Sequence, residues 1–159
     1  MRILGIDPGS LRTGYGVIDL VPRGVSPVDY GCITSSSKMT LPQRYCKIFD
    51  SLKIIIEKLH PDCLAIESLF YCKNIKTAFK LGEARAVAIL AAGQSGLPFY
   101  EYAPRLVKQA VVGVGSAHKS QVKKMVRALL NIRDQEISED VTDALAVAIC
   151  HGNHSRLRT

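Results

Sequence analysis

The sequence predicts an α/β fold in which a five-stranded mixed sheet is flanked by helices on both faces. Three β-rich segments joined by short turns occupy residues 2–34, which predicts an antiparallel meander. From Leu41 onward, segments with helical periodicity alternate with two short β-type segments. Strands that alternate with helices in this way are typical of a sheet covered by helical layers.

The first half of the chain is predicted to hold four strands and one helix. The first strand runs from Arg2 to Asp7 and ends at the turn-forming segment 8–10, and residues 14–20 and 28–34 form the next two strands. A helix begins at Leu41, because apolar residues then recur every three or four positions as far as residue 59. The buried-type strand 63–67 follows and ends in Glu67.

The second half is predicted to be mainly helical. Residues 73–95 form an alanine-rich helix whose backbone can approach the sheet, another helix or a second copy of the chain. Residues 98–102 form the fifth strand, Pro104 can open a short helix, and further helices cover about 120–130 and 140–150. His151 and His154 are expected to lie in a solvated tail without a metal-binding role.

Composition predicts one domain over residues 1–159 that carries a basic surface. The chain has 159 residues, 47% of them hydrophobic, and a formal charge of +7 with a pI near 9.3, which favours a polyanionic partner. No segment resembles a signal peptide or a membrane span, so we expect a cytoplasmic protein that does not enter membranes. The five cysteines show no zinc-site spacing and are expected to be reduced thiols.

Four acidic residues stand at positions where they could converge. Asp7 and Glu67 end two predicted strands, and Asp140 and Asp143 are spaced i, i+3 at the start of a predicted helix. Each acid alone is also explained as a turn or helix cap. Together they favour a site for two Mg²⁺ ions, with Mn²⁺ as a substitute, that hydrolyses a phosphodiester through activated water.

Short motifs along most of the chain point to one family. They are Ile6-Asp7-Pro8-Gly9-Ser10 with Thr13-Gly14-Tyr15-Gly16, then Ala65-Ile66-Glu67-Ser68-Leu69-Phe70 with Lys73-Asn74, Leu81-Gly82-Glu83-Ala84-Arg85, Val107-Lys108-Gln109, Val112-Gly113-Val114-Gly115-Ser116-Ala117 with Lys119-Ser120-Gln121-Val122, and Asp140-Val141-Thr142-Asp143-Ala144-Leu145-Ala146. In this order they resemble the RuvC resolvases, bacterial enzymes of the ribonuclease H-like superfamily.

The resemblance implies a ribonuclease H-like fold and an endodeoxyribonuclease. Such an enzyme nicks two strands of like polarity in a four-way DNA junction during recombination and repair, leaving 5′-phosphate and 3′-hydroxyl ends. By the resemblance, Asp7, Glu67, Asp140 and Asp143 are the catalytic metal ligands. The resemblance also implies a homodimer that works with the RuvA and RuvB branch-migration proteins.

The residues expected to contact DNA come mainly from the basic second part of the chain. The resemblance implies that Lys108 and Lys119 assist at the scissile phosphate and that Phe70 stacks on bases at the junction centre, although Phe70 could instead pack in the core. Further phosphate contacts are expected from other cations of this region, among them Lys73, Lys76, Lys80 and Arg85.

Other functions remain open at this point. A related ribonuclease H-like RNase would share the acids, and a junction-binding module would use them only as caps. Actin-like kinases begin with a similar Asp-x-Gly turn but need two such domains, for which this chain has no room. The loop 113–120 imitates a phosphate-binding loop, but His118 stands where the glycine before Lys-Ser is required, so no ATP site is predicted.

Overall fold

The fold is described from a computed structural model, which covers residues 1–68, 75–133 and 137–156. In these ranges the strands are β1 (Arg2–Asp7), β2 (Arg12–Val21), β3 (Gly24–Thr34), β4 (Cys63–Glu67) and β5 (Phe99–Tyr102). The helices are α1 (Leu41–Leu59), α2 (Ile75–Gln94), α3 (Pro104–Val112), α4 (Lys119–Leu129) and α5 (Glu139–Arg156).

The strands form one mixed sheet in the order β3-β2-β1-β4-β5. The meander β1-β2-β3 is antiparallel, whereas β4 and β5 are parallel to β1 and to each other. The predicted strand order along the chain and the mixed character of the sheet are confirmed. Because β1 and β4 are adjacent and parallel, the residues that end them lie at the same edge of the sheet.

Helices cover both faces of this sheet, as predicted. On one face, α1 and α2 pack on alternate residues of the strands, including Leu4, Ile6 and Leu64. On the other face, α5 packs on the residues between them, with α3 and α4 completing the layer. This two-fold alternation follows from strand geometry, in which successive side chains point to opposite faces.

Helix α5 lies unusually close to the strands beneath it. A Cβ atom at Gly5 of β1 would overlap the carbonyl oxygen of Ala144, and one at Gly14 of β2 would overlap the backbone of Asp140. The absence of these side chains lets the backbone of the helix rest on the backbone of the sheet. The first two turns of α5, which carry two of the predicted catalytic acids, are thereby held beside the ends of β1 and β2.

The prediction of a solvated tail after residue 150 is wrong. Helix α5 continues to Arg156, and His151 is only 5% exposed. The hydroxyl of Tyr102 lies 2.7 Å from His151 Nδ1, and the ring of Tyr100 lies 4.3 Å from the His151 ring. The histidine is buried because the aromatic side chains of β5 provide both a packing surface and a hydrogen-bond partner.

The alanine-rich helix α2 has one buried face and one exposed face. Ala84, Ala88, Ala91 and Ala92 are buried against the sheet and α1. No helix in the described part of the chain is long and apolar enough to cross a membrane. Cysteines 32, 46, 63 and 150 have free thiols.

The close packing of α5 makes Gly5 intolerant of even a methyl group. We expect Gly5→Ala to lower the free energy of unfolding by more than about 2 kcal/mol, because backbone atoms of α5 must move to accommodate the new Cβ. The matched control is Gly93→Ala in α2, where a Cβ meets nothing within 4 Å and should stabilise the helix by up to about 1 kcal/mol. Urea unfolding measures both, and equal effects at the two positions would contradict this account.

Candidate active site

Asp7 and Glu67 meet at one edge of the sheet because they end neighbouring parallel strands. Their preceding residues, Ile6 and Ile66, are paired in register. Gly5 faces α5 and Ala65 packs in the core beneath it, so strand alternation places both carboxylates on the α5 side of the sheet. Two acids are therefore presented to the first turn of α5.

Helix α5 and the helices beside it complete a cavity of about 210 Å³. Asp143 enters the cavity from α5, and Lys108 and Lys119 enter it from α3 and α4. The whole lining consists of Asp7, Glu67, Pro104, Val107, Lys108, Lys119, Val122, Asp143 and Ala146. Three of the four predicted acids and both predicted lysines thus line one cavity.

Asp140, the fourth predicted acid, lies beside this cavity and does not line it. Its Oδ2 accepts a hydrogen bond from Arg12 Nε at 2.7 Å. Asp140 is nevertheless near enough to contribute to raising the pKa of Asp7. The structure therefore places it at the rim of the acid cluster, with its charge balanced by an arginine.

The acids in the cavity are buried and repel one another. Burial, together with repulsion by Asp143, Asp140 and Glu67, raises the pKa of Asp7 to about 7. Burial also raises the pKa of Glu67 and of Asp143, and in both cases the charge of Lys119 opposes the rise. Such shifts mark a site where negative charge is concentrated without enough positive charge to balance it.

Lys119 supplies part of the positive charge that balances the cluster. Its Nζ lies 3.5 Å from Asp143 Oδ2, and this carboxylate is the main cause of the raised pKa of Lys119. The side chain is still 73% exposed, so it can also reach a ligand at the mouth of the cavity. The charge of Lys108 also opposes the rise in the pKa of Glu67.

The donor set fits a hard divalent cation. In the described ranges, no three His, Cys, Asp or Glu side chains are already arranged as a complete set of metal ligands. The carboxylate oxygens that share the cavity are nonetheless the ligands that Mg²⁺ and Mn²⁺ prefer, and burial together with repulsion from the other acids raises the pKa of Asp7. A bound divalent cation would relieve this repulsion.

The other predicted DNA contacts have different surroundings. Lys76 and Lys80 are exposed on the first turns of α2. Arg85 is only 16% exposed, forms an ion pair with Glu101 and lies over the Phe99 ring, which indicates a structural role. Phe70 and Lys73 lie outside the described residues.

Arg12 is a site residue that the sequence analysis did not select. It is the first residue of β2 and carries the cation paired with Asp140. Its strand parity with Gly14 can be read from the sequence, but the pairing of Gly14 with Asp7 is shown only by the structure.

Comparisons with known proteins place the chain in a family. Residues 3–151 match the family model described as crossover junction endodeoxyribonuclease RuvC. The RuvC proteins of Ruminiclostridium cellulolyticum and Halothermothrix orenii are each 48% identical to this chain over 157 residues, covering 99% of it and 95% of each relative.

A solved structure shows the same fold. The structure of Thermus thermophilus RuvC in complex with a Holliday junction substrate superposes with a TM-score of 0.94 at 30% identity, covering 100% of this chain and 97% of the other. The predicted ribonuclease H-like fold is confirmed by this match. A family model over nearly the whole length, curated relatives and a solved structure agree, and the chain therefore belongs to the RuvC family of crossover junction endodeoxyribonucleases.

Proposed function

We propose that this protein resolves Holliday junctions by nicking two DNA strands of like polarity in a metal-dependent hydrolysis. The observation that carries the proposal is the cavity in which Asp7, Glu67 and Asp143 meet Lys108 and Lys119. The family assignment supports a DNA junction as the substrate, since the Thermus thermophilus relative was solved with one. We further propose that residues 1–159 form a single nuclease domain.

In this proposal, Asp7, Glu67 and Asp143 hold two Mg²⁺ ions together with Asp140 from the rim. When bound, the metal supplies activation of the attacking water and stabilisation of the departing 3′ oxygen. Carboxylates repel a phosphate, so these acids would act on it only through the metal that they would hold at this edge of the sheet. The apolar walls, including Val107 and Val122, limit the access of bulk water and strengthen the electrostatic interactions inside.

Besides balancing the charge of the acids, the two lysines are proposed to act on the phosphate. Lys119 is largely exposed while it contacts Asp143, so its ammonium group can turn to a non-bridging phosphate oxygen and neutralise the charge that builds up there. Lys108 also lines the cavity and can do the same from α3. Hydrolysis in this arrangement leaves a 5′-phosphate and a 3′-hydroxyl.

Exposed lysines at the start of α2 are proposed to hold the arms of the junction. Lys76 and Lys80 lie one turn apart and both face solvent. Together with the net charge of +7 they favour phosphate contacts, which position DNA without reading its sequence. Phe70 and Lys73 keep their proposed roles in stacking and phosphate binding.

We also propose that the enzyme is a homodimer, so that two active sites act on one junction. Support comes from the exposed face of α2, where Phe79 is 68% and Leu90 is 55% exposed. These two residues and the exposed Glu83 and Ala86 are spaced four, three and four positions apart and form one stripe. We propose in addition that the protein works with RuvA and RuvB in the cytoplasm.

Loss of any one acid should abolish cleavage but preserve junction binding. We expect Asp7→Asn, Glu67→Gln, Asp143→Asn and Asp140→Asn each to slow cleavage of a labelled four-way junction by at least about a hundredfold in Mg²⁺. Binding, measured by gel shift in EDTA, should change by less than about threefold, since phosphate contacts supply the affinity. Glu57→Gln, an exposed acid on α1, is the matched control.

Two outcomes would contradict this assignment. Junction binding without cleavage in any Mg²⁺ or Mn²⁺ concentration would indicate a binding module. Cleavage of RNA alone would indicate an RNase.

The metal-free acid cluster should destabilise the protein as pH rises. The pKa of Asp7 is raised from 3.8 to about 7, so the folded state retains a proton that the unfolded state loses. The resulting stabilisation is present below about pH 4 and is lost as pH rises through about 7. In EDTA, Asp7→Asn should therefore gain about 2 to 4 kcal/mol relative to the unmodified protein between pH 4 and 8.

Urea unfolding at several pH values measures this difference. Asp50→Asn, an exposed acid on α1, should show no comparable gain. Excess Mg²⁺ should narrow the gap by stabilising the unmodified protein. A difference between Asp7→Asn and the unmodified protein that stays constant with pH would refute the electrostatic origin.

A charge on the exposed face of α2 should disrupt the dimer. We expect Leu90→Lys to shift the molecular mass in light scattering toward the monomer, because a lysine ammonium would be buried in an apolar interface. Leu129→Lys on α4, where the leucine is 44% exposed, is the matched control and should leave the mass unchanged. Unchanged dimerisation of Leu90→Lys would show that the interface does not lie on this face of α2.

A further inference from the structure

Arg12 lies within reach of the acid cluster although it belongs to no motif of the site. It is the first residue of β2, two positions before Gly14, which is paired with Asp7. Strand alternation places Arg12 and Gly14 on the same face, and the first turn of α5 lies directly over Gly14. The arginine side chain therefore extends along the beginning of α5.

The two predicted site acids of α5, Asp140 and Asp143, are each held by a cation from another element. Lys119 lies 3.5 Å from Asp143, and Arg12 donates to Asp140 at 2.7 Å. The contact of Arg12 is the shorter one and occupies Oδ2 of Asp140. An oxygen engaged by a guanidinium must be released or shared before it can bind a metal ion.

We propose that Arg12 competes with the metal for Asp140 and thereby lowers the metal affinity of the site. This inference rests on the proposed function, because it requires that Asp140 is a metal ligand. A guanidinium in contact with Asp140 also repels a divalent cation a few ångströms away. Because Arg12 is 52% exposed and Asp140 31%, solvent screens both effects, and together they weaken metal binding by about three- to tenfold.

The sign of this effect separates competition from a merely structural role. If Arg12 only held Asp140 in place, its removal would loosen the acid and weaken metal binding. Competition has the opposite consequence, since removal frees Oδ2 and eliminates the repulsion. Arg12 is in this sense a positioning residue that acts on the metal through Asp140.

The test is a titration of the metal-free protein with Mn²⁺ near neutral pH without DNA, following the free ion by its EPR signal. We expect Arg12→Gln to bind Mn²⁺ about three- to tenfold more tightly than the unmodified protein. Arg12→Lys, which keeps the charge, should stay within about twofold of it. Arg23→Gln removes the same charge from the exposed turn at the far end of the β2-β3 hairpin and should have no effect.

Each result decides a different question. Tighter binding by Arg12→Gln alone supports competition, while unchanged or weaker binding overturns it, as would equal tightening by Arg12→Lys or Arg23→Gln. If the unmodified protein binds Mn²⁺ but Arg12→Gln matches it, only the role of Arg12 fails. If the unmodified protein binds no Mn²⁺, the proposed metal site fails and this inference fails with it.

Discussion

Backbone contact between α5 and the sheet is the constraint on which the rest of the structure depends. Glycines at positions 5 and 14 leave no side chain between the helix and strands β1 and β2. A larger residue at either position would lift α5 from the sheet. Because Asp140 and Asp143 stand on the first two turns of that helix, the same contact that closes the core also sets the position of two acids relative to Asp7.

This arrangement places a destabilising feature at the most rigid point of the fold. Asp7 and Glu67 end buried strands, and Asp143 lies near the start of a buried helix, so the three acids cannot separate without moving the backbone. Burial is the main cause of their raised pKa values, and repulsion within the cluster adds to it at Asp7 and Glu67. Rigid elements that hold like charges together form a site that favours a cation, and part of the stability of the fold is lost to it.

Cations on the surrounding elements moderate this repulsion to different degrees. Lys119 opposes the pKa rise of all three acids in the cavity, whereas Arg12 engages Asp140 at the rim. Arg85, by contrast, forms an ion pair with Glu101 and lies over the Phe99 ring, so it contributes to the packing of α2 against β5. Similar residues thus have different roles, which depend on the partners that the fold brings to them.

The sequence by itself determined the elements, the alternation of their faces and the four acids, because these depend on local periodicity and on residue type. Strand ends at Asp7 and Glu67 and the i, i+3 spacing of Asp140 and Asp143 are local properties. The tertiary structure alone decided that Asp140 pairs with Arg12, that Arg85 is engaged by Glu101, and that His151 is buried on β5. These are contacts between residues distant along the chain, and single-sequence periodicity carries no information about which distant side chains meet.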